Sequence, residues 1–449
     1  MVAQGVLLSS KAMRPNFVFI LADDLGYADL GCYGGRSAAR GASCSPNLDR
    51  MATEGLRFTD GYANSSVCSP SRFALITGRW QYRLRGGADE PVATRVRGNP
   101  VLGLPPAHPT MPALLAGAGY ATALAGKWHL GFPPNFGPLQ SGYQEFFGVM
   151  SGGVDYFTHC DSAGIHDLCE GEAAVEKPGY LTDLISDRAV EFVKRQKATR
   201  PFLLSVHYTA PHWPWETRED EAEARSIEKI IHTDGGSVQT YLKMIHHMDE
   251  GIGRIVDALG KIGAADNTLV VFTSDNGGER FSDTWPLVGK KMDLLEGGIR
   301  VPYIVRWPAQ VRAGSTTAQL AMTMDWMPTF LDAAGARAHP DYPLDGVSLL
   351  PVLKDPARRI ERDLFWRMKF RGQKAMRSGD WKYFANDDGE FLFDLAKDQR
   401  ERANLARRDE ARLASMRAKF EAWEKSIPPI PADATFSIPY TRADLAQPS

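Results

Sequence analysis

Short apolar runs, separated by segments with helical periodicity, constrain the fold of this chain more than any other feature of its sequence. Residues 16–22 (NFVFILA), 202–208 (FLLSVHY) and 268–273 (TLVVFT) show little alternation of apolar and polar residues, so each predicts a strand buried on both faces. Apolar residues recur at helical spacing between them, as in residues 180–196 and 239–259. This order of elements predicts an α/β fold, with a large, mixed, mostly parallel sheet flanked by helices.

The pattern changes near residue 345. Residues 363–395 contain close-set strand segments (DLFWRMKF, KAMRSGDWKYFAN and GEFLFDL), which are typical of a small antiparallel sheet. A long charged helix is predicted over residues 401–426. We therefore predict a large domain over residues 14–345 and a smaller C-terminal α+β domain, with the antiparallel sheet and this helix, over residues 346–449.

The charge balance excludes some classes of partner. Lys and Arg number 52 and Asp and Glu number 54, a formal charge of −2. Such a balance gives no electrostatic reason to expect binding to nucleic acid or to an anionic membrane surface. The apolar run of residues 17–22 is far shorter than the roughly 20 residues of a membrane-spanning helix. We predict neither nucleic acid nor a membrane as a partner, and the sequence predicts no oligomeric state.

The N-terminus and the cysteines bear on the compartment. The first residues lack the charged and apolar regions of a secretory signal, which predicts a cytoplasmic protein, or a periplasmic or secreted one whose signal peptide was removed. Five cysteines cannot all pair within the chain. Cys160 and Cys169 lie close in sequence and would pair only in an oxidising compartment, so free thiols are favoured.

Oxygen-bearing side chains follow two of the predicted buried strands. Asp23 and Asp24 come after residues 16–22, and Asp275 and Asn276 come after residues 268–273. Ligands of open α/β sheets bind beyond the carboxyl ends of the strands. Three carboxylates and an amide suit a hard cation such as Ca²⁺ or Mg²⁺. Either pair alone is more often a turn that ends a strand, because Asp, Asn and Gly favour turns.

The segment Cys68-Ser69-Pro70-Ser71-Arg72 favours a cation site over simple turns at these two pairs. A cysteine before a proline at a helix start is, by itself, equally compatible with a buried core thiol. The wider run YANSSVCSPSRFALITGR, however, resembles the sulfatase family, in which the cysteine of CxPxR is oxidised to formylglycine by a separate maturation enzyme. The resemblance covers roughly residues 15–425 in the family's order, through FILADDLGYADLGCYGG, LAGKWHLG, VHYTAPHWPW, TSDNGG, KKMDLLEGGIRVP and FLFDLAKDQRERANLA.

The resemblance implies an alkaline-phosphatase-like fold and a sulfuric ester hydrolase. It implies one Ca²⁺ per chain, with Mg²⁺ or Mn²⁺ less favoured, held by Asp23, Asp24, Asp275, Asn276 and the residue at position 68. It also implies a formylglycine derived from Cys68. A serine or thiol nucleophile would leave a stable covalent sulfate ester, whereas a hydrated aldehyde has a second hydroxyl that, once deprotonated, expels sulfate.

The remaining matched residues receive catalytic roles from the same resemblance. The basic residues Arg72 and Lys127 would fix the diol at Cys68. His129 is the expected base for the second hydroxyl, and Asp275 is a candidate base for the first. His212 and Lys291 would bind the sulfate and help to protonate the leaving oxygen. Lone histidines are commonly structural, and we interpret His246 and His247 in this way.

Two other functions are compatible with parts of these patterns. Phosphonate monoester or phosphodiester hydrolases of the same superfamily share the fold, the CxPxR nucleophile and a similar cation site. A non-catalytic relative would bind sulfated ligands, yet every expected catalytic position is filled. Aromatic and basic residues in the loops 80–108, 132–175 and 213–236 suit a carbohydrate sulfate and an aryl sulfate equally, and of the two we expect a carbohydrate sulfate. The predicted partners are therefore a sulfated small molecule or saccharide and the maturation enzyme.

Overall fold

The computed structural model describes residues 14–37, 41, 43–197, 199–226 and 235–437. Its strands are β1 (Asn16–Ala22), β2 (Leu56–Phe58), β3 (Gly61–Tyr62), β4 (Ala121–Gly126), β5 (Glu145–Val149), β6 (Leu168–Glu170), β7 (Ala173–Ala174), β8 (Phe202–His207), β9 (Thr268–Ser274), β10 (Tyr303–Arg306), β11 (Ser315–Thr317), β12 (Ala321–Met322), β13 (Asp363–Arg367), β14 (Lys374–Ser378), β15 (Trp381–Asn386) and β16 (Gly389–Asp394). The α-helices are α1 (Pro46–Thr53), α2 (Cys68–Thr77), α3 (Met111–Gly117), α4 (Leu181–Arg195), α5 (Glu221–Ala224), α6 (Val238–Lys261), α7 (Glu296–Ile299), α8 (Trp326–Ala334), α9 (Leu350–Lys354) and α10 (Glu410–Lys425).

The large sheet confirms the predicted fold class. In the described chain it has ten strands in the order β11-β2-β10-β9-β1-β8-β4-β5-β6-β7. Strands β9, β1, β8, β4 and β5 are mutually parallel, and β10 and β6 join on either side as antiparallel neighbours. The sheet is therefore mixed and mostly parallel, and its parallel centre contains the apolar runs that predicted buried strands.

The alternation of side chains along β1 divides the core into two layers. Val18 and Ile20 pack on one face with helices α4 and α6. Phe17 and Phe19 pack on the other face, where the aromatic ring of Phe330 in α8 lies 4.4 Å from that of Phe17. Both faces of β1 are thus covered by helices, which explains why its sequence is apolar at nearly every position.

The C-terminal part forms the predicted antiparallel sheet, with the strand order β13-β14-β15-β16 and α10 packed against it. The boundary near residue 345 stays a prediction, since Leu349 and Leu353 pack into the core of the large sheet. The predicted helix over 401–426 is wrong at its start, because α10 begins only at Glu410. The Asp409 carboxylate accepts a hydrogen bond from the backbone N–H of Arg412 and so caps the helix there.

The other outcomes concern helix starts, cysteines and membrane spans. Helix α2 begins at Cys68, so the thiol belongs to its first turn. All five cysteines are free, including Cys160 and Cys169, in agreement with the favoured alternative. Within the described residues, no helix has the length and apolar character needed to cross a membrane.

Candidate active site

Four parallel strands end at one edge of the large sheet, and polar residues follow them there. The order β9-β1-β8-β4 places these ends side by side. In open α/β sheets this edge is the usual position of a ligand. The buried side chains found there are Asp23 and Asp24 after β1, Lys127 and His129 after β4, His212 after β8, and Asp275 and Asn276 after β9.

Helix α2 brings Cys68 and Arg72 to the same edge. Cys68 is the first residue of α2, and its Sγ lies 4.0 Å from Oδ1 of Asp24. Arg72 follows four positions later, so the two side chains share one face of the helix. The Nε and Nη2 atoms of Arg72 lie 2.9 and 2.8 Å from Oδ2 of Asp275. Its Nη1 donates to the backbone oxygen of Lys127 at 3.2 Å, so one side chain joins the ends of β9 and β4.

Two lysines neutralise carboxylates in this cluster. The ammonium of Lys127 forms an ion pair with Asp23. The Nζ of Lys291, which arrives from the loop between β9 and α7, lies 2.6 Å from Oδ2 of Asp24. Burial raises the pKa of Asp24, but Lys291 and His212 outweigh it and lower that pKa to about 2. The pKa of Asp275 is raised to about 7, first by burial and then by the charge of Asp23.

The oxygen atoms of the cluster suit a hard divalent cation. Asp23, Asp24, Cys68 and His212 each contribute one potential ligand atom, and these atoms all lie within 4.8 Å of one another. In the described chain, Oδ1 of Asp23 and Oδ1 of Asn276 are buried without a hydrogen-bond partner. Burying such atoms is costly unless something else binds them. Asp24 also has a φ of 62°, a conformation that non-glycine residues rarely adopt outside functional sites. The donor chemistry therefore fits the predicted cation.

The predicted ligand set is brought together, although two of its members are otherwise engaged. Asn276 donates from Nδ2 to Oδ1 of Asp24 at 2.7 Å, which places its amide beside the first pair. Asp275 directs Oδ2 at Arg72, while its Oδ1 accepts a weak 3.3 Å hydrogen bond from the backbone N–H of Asp24. The cluster thus offers four oxygen-bearing side chains and a thiol within one buried volume.

His129 has one ring nitrogen without a partner. Its Nε2 lies 2.8 Å from the backbone oxygen of Val92. A carbonyl accepts only, so Nε2 carries the proton and Nδ1 presents a lone pair. That Nδ1 is buried and unpartnered among the described residues. Burial, followed by the charges of Lys127 and Arg72, lowers the pKa of His129 well below its usual value. His129 is therefore a neutral hydrogen-bond acceptor here.

His212 is oriented by its own loop. Its Nδ1 donates to the backbone oxygen of Trp213 at 2.7 Å, so Nε2 is the atom directed at the cluster, 3.5 Å from Oδ2 of Asp24. The pKa of His212 is lowered to about 3, first by burial and then by the charge of Lys291. A negatively charged ligand at Nε2 would raise this pKa by favouring the protonated ring.

Glu279 is a buried acid that our sequence prediction missed. Both of its carboxylate oxygens lack hydrogen-bond partners within the described residues, and Oε1 lies 3.7 Å from Nζ of Lys291. Burial raises its pKa to about 8, although the charge of Lys291 opposes the rise. The only available signal was its place in TSDNGGE, three residues after Asn276.

A cavity of about 490 Å³ opens above this cluster. Its inner wall includes Cys68, His129, His212 and Lys291. Its outer wall is formed by residues 91–95, Gly152, Gly153, Ser162, Trp213 and Met292, and by Phe436 and Ser437. A larger cavity of about 930 Å³ lies between the two sheets, and none of the residues of the cluster lines it. Two of the arginines that line it, Arg300 and Arg377, are already paired with Asp60.

Several loop residues do not line the mouth as expected. Trp80 packs against Trp423, with ring centroids 5.2 Å apart, and Arg83 pairs with Asp345. Trp215 packs against Phe281. Sequence composition alone does not show which aromatic residues of a loop face a cavity, and here Trp213 does so while these neighbours complete the core.

Three further residues of these loops also contact other protein groups and do not line the cavity. Arg85 pairs with Asp89, and the Tyr156 hydroxyl donates to the backbone oxygen of His212. The Ser151 hydroxyl donates to the Asp167 carboxylate at 2.6 Å, so it does not face the site.

Two family models match the chain. One described as "Sulfatase" matches residues 15–336, and one described as "N-sulphoglucosamine sulphohydrolase, C-terminal" matches residues 285–425. Among curated proteins, the N-acetylgalactosamine-6-sulfatase of Sus scrofa is 34% identical over 407 residues, covering 86% of this chain and 74% of the relative. Arylsulfatase A of Homo sapiens is 35% identical over 404 residues, covering 83% of this chain and 75% of the relative.

A solved structure extends the similarity to the whole architecture. The structure described as Ps i-CgsB in complex with k-i-k-neocarrahexaose superimposes with a TM-score of 0.79 at 32% sequence identity. The match covers 91% of this chain and 92% of that one. The similarity therefore extends beyond the short motifs of the candidate site to both sheets.

Proposed function

The chain belongs to the sulfatase family and is a sulfuric ester hydrolase, and from this premise we propose that it removes sulfate from a sulfated carbohydrate, and also from aryl sulfates, by means of a formylglycine at position 68 and a bound Ca²⁺. The observation that carries the proposal is the buried convergence of Cys68 with Asp23, Asp24 and Asn276 at the carboxyl edge of the sheet. The carbohydrate preference is supported by the names of the relatives and by Trp213 at the mouth of the cavity.

Asp23, Asp24, Asp275, Asn276 and the residue at position 68 would hold the cation. Two buried oxygens, Oδ1 of Asp23 and Oδ1 of Asn276, are free to bind it. Bound Ca²⁺ would neutralise sulfate oxygens and favour ionisation of an adjacent hydroxyl. Predominantly oxygen donors favour Ca²⁺ or Mg²⁺ over softer metals.

Formylglycine at position 68 would supply a hydrated aldehyde with two hydroxyls. Its place at the first residue of α2 exposes it to the unpaired N–H groups of the first helical turn, which favour negative charge. Cys68 is only 1% exposed, so a maturation enzyme would need to act on the chain before it folds.

Carboxylates and histidines of this chain would move the protons. Asp275, with a pKa raised to about 7, would accept the proton of the attacking hydroxyl and become a neutral carboxyl, and Arg72 pairs with its carboxylate before that transfer. Nδ1 of His129, which has no hydrogen-bond partner among the described residues, would accept the proton of the second hydroxyl. Once that hydroxyl has lost its proton, the aldehyde re-forms and sulfate leaves. Lys127 would keep the ionised oxygen stable.

Lys291 and His212 would bind the sulfate itself. Both line the cavity beside Cys68, and both contact Asp24 in this structure. A sulfate placed there adds negative charge, which raises the pKa of His212 and allows Nε2 to hold a proton. That proton is in position to reach the leaving oxygen as the S–O bond breaks.

Mass spectrometry of the tryptic peptide that contains Cys68, on protein assayed with an aryl sulfate and an aryl phosphonate monoester, tests the proposal. We expect the mass of an aldehyde in place of the thiol, and sulfate turnover that exceeds phosphonate turnover. Dominant phosphonate turnover would make the protein a phosphonate hydrolase. An intact thiol after co-expression with a maturation enzyme, with no turnover of either compound, would leave only binding of sulfated ligands.

A further inference from the structure

The outer wall of the active-site cavity is formed partly by the C-terminal end of the described chain. Phe436 and Ser437 line the same cavity as Cys68. Phe436 is 45% exposed, although its ring lies 5.5 Å from that of Phe370 and residues of this size and polarity are usually buried by folding. An aromatic ring left open at a cavity mouth is available to the apolar face of a ligand.

The backbone around Phe436 is anchored firmly. The N–H of Ser437 donates to the backbone oxygen of Glu90 at 2.9 Å, and the N–H of Glu90 donates to that of Thr435 at 2.8 Å. The N–H of Thr435 also donates to Oδ1 of Asp89 at 2.7 Å, and Nζ of Lys369 donates to the backbone oxygen of Ala434 at 2.6 Å. Residues from the part of the chain with the large sheet and from the part with the C-terminal sheet therefore both hold the backbone around Phe436 in place. Because this segment is already ordered, less conformational entropy is lost when Phe436 binds a ligand.

Arg95 lies on the same wall and is oriented by this segment. Its Nη1 donates to the Ser437 hydroxyl at 3.0 Å, and its Nη2 donates to the Thr435 hydroxyl at 2.8 Å. In the described part of the chain its side-chain hydrogen bonds go to these neutral oxygens only. Arg95 thus pairs with no carboxylate among the described residues, and its guanidinium has further N–H groups available for a planar anion at the cavity mouth.

We infer that Phe436 and Arg95 form the leaving-group side of the substrate pocket and select a saccharide that carries a second anionic group. The inference rests on the proposed function, in which the reacting sulfate lies beside Cys68 and Lys291. The rest of the substrate must then extend towards the mouth. There a sugar ring packs its C–H face on Phe436 and Trp213, and a second sulfate or a carboxylate pairs with Arg95.

The size of the cavity agrees with this substrate. At about 490 Å³ it lies within the range of about 300–1,000 Å³ typical of small-molecule sites. A bare sulfate would use only the inner end, which leaves the part between Trp213 and Phe436 for the sugar.

Binding measurements on a Cys68→Ala protein loaded with Ca²⁺ test the anion preference without turnover. The probes are N-acetylgalactosamine 6-sulfate and N-acetylgalactosamine 4,6-disulfate, compared by calorimetry. We expect the disulfate to bind about fivefold more tightly or better, as for one partly exposed charged contact. Arg95→Gln should abolish that difference and Arg95→Lys should keep part of it, whereas Arg337→Gln, an exposed arginine outside the cavity, should leave it unchanged. Equal binding of the two sugars, no binding of either, or a preference that survives Arg95→Gln would overturn the inference.

Kinetics on the matured enzyme test Phe436. For the sulfated sugar, Phe436→Ala should raise KM about tenfold, with kcat within about twofold, because the ring contacts the substrate and not the reacting atoms. Phe436→Tyr should restore KM, and Phe391→Ala, on the C-terminal sheet, serves as the control. An unchanged KM, or an equal fall of kcat for the sugar and for 4-methylumbelliferyl sulfate, contradicts the assignment. An enzyme that hydrolyses no sulfate ester at all refutes the proposed function instead, while the calorimetric comparison still decides the role of Arg95.

Discussion

The Nζ atom of Lys291 lies 2.6 Å from Oδ2 of Asp24. Asp24 is a proposed cation ligand, and Lys291 is a proposed sulfate ligand, so one carboxylate is shared by two functions. When Asp24 binds a cation, its attraction for Lys291 weakens and the ammonium can turn to the sulfate. Oε1 of Glu279 lies 3.7 Å from Nζ of Lys291 and is the other carboxyl oxygen beside this ammonium.

Lys291→Met should therefore affect substrate binding more than folding. We expect kcat/KM for an aryl sulfate to fall by about 10²- to 10³-fold, as for loss of one group that stabilises transition-state charge. The measurement is steady-state kinetics with Ca²⁺ present, together with the melting temperature. Lys243→Met, an exposed lysine on α6, is the matched control. A loss of activity explained entirely by unfolding of the variant would contradict the proposed role.

Removal of the divalent cation should destabilise the protein. Asp23, Asp24 and Asp275 are fully buried close together, so their charges repel when no cation binds them. A chelator should lower the melting temperature, and added Ca²⁺ should restore it in a concentration-dependent manner. Asp24→Asn should weaken this response to Ca²⁺ by at least about tenfold in concentration, whereas Asp257→Asn, on the exposed face of α6, should not. A melting temperature independent of Ca²⁺ would contradict the proposed ligand set.

The sequence predicts the inner part of the site well because that part follows strand ends. The observed β1 spans Asn16–Ala22, as its continuous apolar run predicts, and Asp23 and Asp24 follow directly. Once β9 is known to be parallel to β1, Asp275 must lie at the same edge. The matched motifs around Cys68 then identify the remaining inner residues without knowledge of the loops.

The outer wall could not be predicted in this way. Phe436 reaches the mouth through contacts such as that between Thr435 and Asp89, which are 346 positions apart. No local pattern reports a contact of that kind. The predicted start of α10 is wrong because residues 401–409 have a composition that is typical of a helix. In the structure, the Asp398 carboxylate accepts hydrogen bonds from the backbone N–H groups of Arg402 and Ala403 and stabilises a turn there. Asp409 caps the helix that follows.

His129→Ala should separate the two halves of the reaction. If Nδ1 of His129 accepts the proton of the second hydroxyl, sulfate transfer to position 68 still occurs in the variant but release of sulfate is slow. We expect kcat to fall about 10²- to 10⁴-fold, and a burst of alcohol followed by a sulfated peptide detectable by mass spectrometry. His246→Ala, an exposed histidine on α6, is the control. Loss of activity without a burst or a sulfated peptide would show that His129 acts before the covalent step or only in folding.

The carboxyl of Glu216 should make stability depend on pH. Burial, followed by the negative charge of Asp155, raises the pKa of Glu216 to about 9. In the unfolded chain the same group ionises near its usual pKa of 4.5, so the folded state binds more protons between these values. The contribution of Glu216 to the free energy of unfolding is therefore fully present below about pH 4.5, and it declines as the pH rises towards about 9.

Glu216→Gln keeps the shape of the side chain but cannot ionise, so it should remove this decline. The melting temperature of the variant should exceed that of the parent by about 2 °C or more at pH 8 and should be similar to it at pH 5. Glu223→Gln, an exposed residue on α5, supplies the matched control. The protonated carboxyl of Glu216 donates a hydrogen bond to Asp155, and the amide of the variant can donate one in the same way. A variant less stable than the parent at pH 8 would mean that Glu216 is ionised and stabilising in the folded protein.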